Sequence, residues 1–182
     1  MWRIASKHFT GIALAALLGG CGLTQNVVDG TASTAHALFY KQVKTLHLDL
    51  TGRAAINTDA THMSGLSVPV LVRVYQLRDR KALERAGYDD LENLGERVLG
   101  GDLLSANTLV VKPGEAAQLS TPLHAEARYV AVVALFRSPD LALNTWRLTL
   151  QRDELDPELA RVIELGENRL KLRPGSEGST DA

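Results

Sequence analysis

The alternation of apolar and polar positions changes period along the chain, and the changes mark its elements. From residue 45 the period is two. Leu46, Leu48 and Leu50 alternate with Thr45, His47, Asp49 and Thr51, and the apolar phase continues through Gly52, Ala54 and Ile56. This predicts a long, half-buried strand with a bend at Gly52. Residues 69–77 (PVLVRVYQL) are β-branched and apolar on both phases, as a strand in a sheet interior requires. Residues 79–94 (DRKALERAGYDDLENL) are charged and helical in spacing, and the break near Gly87 predicts two short helices. Residues 108–111 and 118–121 flank Lys112-Pro113-Gly114-Glu115, a turn between strands. Residues 128–136 (RYVAVVALF) predict the most buried strand. Trp146, Leu148 and Leu150 then alternate with Arg147, Thr149 and Gln151, which makes Trp146 a core residue. Residues 161–165 and 169–172 pair across Gly166-Glu167-Asn168. About eight strands with one helical insertion predict a mainly β fold, an antiparallel two-sheet sandwich. The alternating βαβ pattern of a doubly wound nucleotide fold is absent.

The N-terminal pattern differs. Residues 29–40 (DGTASTAHALFY) are Ala-rich, with Ala35, Leu38 and Phe39 near one face, and predict an N-terminal helix. Before them, Arg3 and Lys7 precede an apolar run over 9–18 and the small pair Gly19-Gly20, the layout of a secretory signal peptide over 1–20. That run is about half the ~20 residues a membrane-spanning helix needs. The next residue is Cys21, so Leu18-Gly19-Gly20-Cys21 resembles the bacterial lipobox. The thiol there would take a diacylglycerol through a thioether, and the new amino group an N-acyl chain. One acyl chain anchors marginally and several anchor durably. By resemblance to sorted lipoproteins, Asp after the cysteine would retain the protein at the inner membrane. Gly22 stands there, so the expected location is the periplasmic face of the outer membrane. The predicted division is a signal peptide over 1–20, a lipidated tether over 21–28, a β-sandwich domain over 29–173 and a disordered tail over 174–182.

Composition narrows the chemistry. The 182 residues are 45% hydrophobic and 23% charged, as in ordinary globular proteins. The formal net charge is -1. Without residues 1–20 the balance is 18 basic against 21 acidic. Nucleic-acid binding needs a basic excess to displace counterions, so no nucleic-acid partner is expected. Cys21 is the single cysteine, which excludes an intrachain disulfide, a cysteine zinc site and an iron–sulfur cluster. His36, His47, His62 and His124 make no metal-site spacing. Ser67, in Gly65-Leu66-Ser67-Val68-Pro69, lacks the glycine pattern of a nucleophile elbow. Leu99-Gly100-Gly101-Asp102 is a turn without phosphate-binding spacing. The clusters Asp89, Asp90, Glu92 and Asp153, Glu154, Asp156 lack the ligand pattern of a calcium loop and read as solvated faces. No catalytic constellation emerges, so an enzyme, a metal, a small-molecule substrate and a cofactor other than the lipid on Cys21 are not expected.

One loop is suggestive. Asn57, Thr58, Asp59, Ala60, Thr61, His62, Met63, Ser64 and Gly65 form nine residues between two strands, where hairpins usually take two to five. Small polar groups with Met63 and His62 make an adaptable contact surface, although such a loop is also tolerated as a plain surface insertion.

Together, the lipobox, LFYKQVKTLHLDL (38–50) and SVPVLVRVYQLRDRKAL (67–83) resemble the TssJ (SciN) lipoproteins of the bacterial type VI secretion system. The likeness runs on through Tyr88-Asp89-Asp90-Leu91, LGGDLL (99–104), Pro113-Gly114, YVAVVALFR (129–137) and Trp146-Arg147. It departs at Leu83, where the family usually has an aromatic, and at Gly87-Tyr88, which replaces a more polar pair. The resemblance implies a transthyretin-like β-sandwich on an outer-membrane lipoprotein. It also implies binding to the periplasmic C-terminal region of the inner-membrane subunit TssM, through the loop between the first two strands, here 57–65. Within that loop Asn57 and Asp59 are expected to supply hydrogen bonds and Met63 an apolar contact. The alternative is a lipoprotein ligand carrier, which would require an internal cavity or an exposed aromatic platform.

Overall fold

The computed structural model describes residues 43–58 and 66–174. The signal peptide, Cys21, the tether, the helix over 29–40 and the tail from 175 lie outside the described residues.

Strand β1 (Thr45–Gly52) buries Leu46, Leu48, Leu50 and Gly52 and turns the residues between them outward, the period-two pattern of one-sided burial. It stops at Gly52 rather than continuing to Ile56. The Gly52 N–H donates to the Glu115 carbonyl at 2.9 Å, and a Cβ at this position would stand 2.5 Å from the Lys112 carbonyl oxygen. The turn 112–115 therefore crosses directly over the strand end, and only glycine leaves room for it. Ile56 is fully buried all the same, from an irregular segment.

Strand β2 (Val70–Leu77) is one of the two inner strands of the second sheet. Its far end is buried on both faces because helices α1 (Lys81–Arg85), α2 (Tyr88–Asn93) and α3 (Glu96–Leu99) pack outside it. The insertion thus has a third helix beyond the two expected, followed by a tight turn over Gly100–Asp102. Arginines tie it down. Arg147 donates to the carbonyls of Leu83 (2.8 Å) and Ala86 (3.0 Å) at the C-terminal end of α1, and Arg73 donates to Leu91 in α2. A cation placed there also meets the negative end of the helix dipole.

Strands β3 (Leu103–Val111), β4 (Ala116–Pro122), β5 (Tyr129–Leu135), β6 (Arg147–Gln151), β7 (Arg161–Gly166) and β8 (Arg169–Leu172) complete two four-stranded sheets, ordered β4-β1-β7-β8 and β3-β2-β5-β6. The mainly β two-sheet sandwich is as the periodicity predicted. Two features of it are not. β1 pairs parallel with β7, while the other pairs are antiparallel. β1 and β2 also lie in different sheets, so residues 53–69 form a crossover between sheets and not the long hairpin loop that their spacing suggested.

The pairings place four connections at one end of the sandwich: 53–69, 112–115, 136–146 and 167–168. This is the loop end. Val43, where the described chain enters β1, lies at the opposite end, roughly 26 Å away along eight residues of strand. There the buried Arg152 donates to the carbonyls of Val43 (2.7 Å), His124 (2.8 Å) and Ala127 (2.9 Å). Gln76, also buried, donates to the Pro122 carbonyl and accepts from the His124 N–H. Buried polar groups need such partners.

Trp146 and Phe136 are each 1% exposed, and Trp146 meets Tyr88 edge-to-face with ring centroids 5.1 Å apart. The Tyr88 hydroxyl donates to the Phe136 carbonyl at 2.5 Å, and burial pushes its pKa up to about 12. Trp146 is thus a core residue, as its alternation predicted, and offers no aromatic platform to a ligand.

Candidate interaction face

Asn57, near the start of the crossover, has a positive φ of 52°, a conformation asparagine tolerates better than most residues. Its side chain is 3% exposed. The amide nitrogen donates to the Pro69 carbonyl at 3.0 Å, and the amide oxygen accepts from the Arg137 N–H at 2.7 Å. One side chain therefore joins the start of the crossover to its end and to the connection after β5. Both ends of the Asn57 amide are thus engaged inside the fold. The Thr58 carbonyl accepts from Asn168 Nδ2 at 2.8 Å. Asp59, Ala60, Thr61, His62, Met63, Ser64 and Gly65 lie outside the described residues. Leu66, immediately after them, is 67% exposed.

The β7–β8 hairpin supports this base from the side. Its two turn residues, Glu167 and Asn168, both have positive φ, the two-residue turn whose twist matches the strands. Arg53 N donates to the Leu165 carbonyl and Glu167 N to the Ala55 carbonyl, each at 2.8 Å. Arg53 Nε also meets Glu164 at 2.8 Å, and Arg173 reaches the other carboxylate oxygen at 3.0 Å. The hydrogen bond from Arg53, with its charge and that of Arg173, holds the Glu164 carboxyl below the usual carboxylate range. A carboxylate with a lowered folded pKa stabilises the fold above its unfolded pKa, and that contribution disappears as pH falls through the folded value. Glu164→Gln is therefore expected to lower the urea midpoint above roughly pH 5, just over the unfolded value of about 4.3. The gap to wild type should close on acidification; a gap independent of pH would detach Glu164 from the effect.

In the cleft beside the base, lined in part by Arg53, Glu164, Glu167, Arg169 and Lys171, Arg53 is paired with Glu164. Arg169 meets Glu167 at 3.0 Å. The acidic clusters are used as caps: Asp90 accepts from Gly87 N, Glu154 from Gln151 N, and Asp156 from Glu158 N and Leu159 N. No group of three or more metal-ligating side chains occurs among the described residues.

Sequence reasoning overlooked the connection between β5 and β6. Leu141 is 58% and Leu143 73% exposed there, between Pro139-Asp140 and Asn144. Two leucines inside a stretch bounded by turn residues were the available signal.

The described residues thus form a two-sheet β-sandwich whose connections are tied together at one end. The model of the type VI secretion lipoprotein family T6SS-SciN (VasD, EvfM, TssJ) matches residues 44–174, and the chain belongs to that family. It is 40% identical, with a TM-score of 0.68, to a chain of the solved structure "Type VI membrane complex", over 72% of its own length and 99% of the other chain. A chain of the structure described as "T6SS protein TssM C-terminal domain (869-1107) from EAEC" is 39% identical, with a TM-score of 0.66 and the same coverage. The T6SS lipoprotein TssJ1 from Pseudomonas aeruginosa is 27% identical, with a TM-score of 0.58, covering 72% of this chain and 97% of that one. No curated protein matches the chain. No helix among the described residues is long and apolar enough to cross a membrane.

Proposed function

We propose that the protein is anchored by lipid on Cys21 at the periplasmic face of the outer membrane. From there it binds the periplasmic C-terminal region of TssM and so helps assemble the type VI secretion membrane complex. The observation that carries this reading is the polarity of the sandwich. The chain enters at Val43, and the crossover containing residues 57–65 stands at the opposite end. A lipid on Cys21 would tether the domain from its N-terminal side, the side from which the chain enters at Val43. Anchoring then raises the effective concentration of partner and loop. The likeness to chains of structures named for TssM and for the membrane complex supports the choice of partner.

Because the loop bridges two sheets and Asn57 locks its base, the test keeps Asn57, Thr58 and Pro69. Residues 59–65 are exchanged for a Gly/Ser stretch of equal length, and the variant is titrated against the purified TssM domain. The expected result is an unchanged thermal midpoint with Kd weakened roughly tenfold or more, since interface energy concentrates in a few side chains. Equal affinity from the folded variant refutes the loop contact. The anchor is tested separately. Cys21→Ser should lose acyl labelling and leave the outer-membrane fraction; a variant that still floats with outer membranes contradicts lipidation at Cys21.

A further inference from the structure

The three most exposed large hydrophobic side chains among the described residues are Leu143, Leu66 and Leu141, and all three stand at the loop end. Single exposed leucines are ordinary; three at one end, on two connections joined by the Asn57–Arg137 hydrogen bond, single this end out as an interaction surface. The connection that carries Leu141 and Leu143 is ordered. At its start the Arg137 N–H donates to Asn57. In its middle the Asp140 carboxylate accepts from Ala142 N (3.0 Å) and Leu143 N (2.9 Å). At its end the Thr145 carbonyl accepts from Leu170 N at 2.7 Å, and Trp146 is buried. The backbone is thus held in place while two leucines face solvent, so covering them costs little further ordering. Residues 136–146 carry one cation, Arg137, and one anion, Asp140, and so offer an apolar contact without a net charge.

We propose that this connection is the second lip of the docking face, and that Leu141 and Leu143 seat in an apolar groove of the same TssM region that the crossover engages. The inference rests on the reading of the crossover as the partner contact, with which it is continuous through the Asn57–Arg137 hydrogen bond.

The test uses the full, lipidated chain extracted in detergent and titrated against the TssM periplasmic C-terminal domain. Three variants are compared: Leu141→Ser/Leu143→Ser, the exchange of residues 59–65, and Leu159→Ser, an exposed leucine at the opposite end. The double variant is expected to keep its thermal midpoint and weaken Kd roughly tenfold or more, with Leu159→Ser at wild-type affinity. If only the exchange of 59–65 weakens binding, the second lip is refuted and the crossover contact stands. If neither does, both fall. Loss of self-association in the double variant, seen by sedimentation with TssM affinity unchanged, would assign the leucines to a second copy of this chain and also overturn the proposal.

Discussion

Trp146→Ala is expected to lower the stability of the domain by about 3–5 kcal/mol, the usual range for removing a large buried aromatic. The side chain is 1% exposed and packs edge-to-face on Tyr88, a geometry worth about 0.5–1.5 kcal/mol beyond the area it buries. Arg147 also lies over the indole, 4.9 Å from the ring centroid, while holding two carbonyls of the insertion. The substitution therefore opens a void where strand β6 begins and loosens the attachment of the helices. A thermal midpoint lower by roughly 10 °C or more is the expected reading. Trp146→Phe should recover part of the loss, and an unchanged midpoint for the alanine variant would contradict the burial.

Asn57→Ala comes next in size. It strands the Pro69 carbonyl and the Arg137 N–H, both tied to Asn57 in the partly buried base of the crossover. Leaving a buried polar group unpaired costs about 1–3 kcal/mol. Alanine at φ 52° adds about 1–2 kcal/mol of backbone strain. A total of about 3 kcal/mol is expected in urea denaturation. Asn57→Gly loses the same hydrogen bonds but accepts the backbone angle, so it should be roughly 1 kcal/mol milder. Equal stability of wild type and alanine variant would show that the amide does not hold the base.

Much of the fold was legible because burial on one side of a strand leaves a period of two. Leu46, Leu48 and Leu50, the run over 128–136, and the alternation from Trp146 to Leu150 marked β1, β5 and β6 from residue order alone. β3 was read too short. Ser105, Ala106 and Asn107 have little strand preference of their own, and their pairing opposite Gln76, Tyr75 and Val74 extends the strand to Leu103. β1 was read too long, because Ala54 and Ile56 keep the phase after the strand has ended. The candidate loop was legible as a long connection of mixed chemistry, but the burial of Asn57 was not. An asparagine in a turn-rich stretch looks alike whether its amide faces solvent or bridges two loops.

The order of apolar and polar residues by itself determined that the chain would build two half-buried layers around Trp146 and the strand at 129–135. That information is local, carried by which face each residue must hide. Tertiary structure alone decided that β1 and β2 belong to different sheets, that β1 runs parallel to β7, and that residues far apart in the chain, Asn57, Arg137 and Asn168, meet at one end. Strand partners are chosen by packing across the whole core, with β1 finding β7 more than a hundred residues away. A period of two says which side of a strand is buried and nothing about its neighbour.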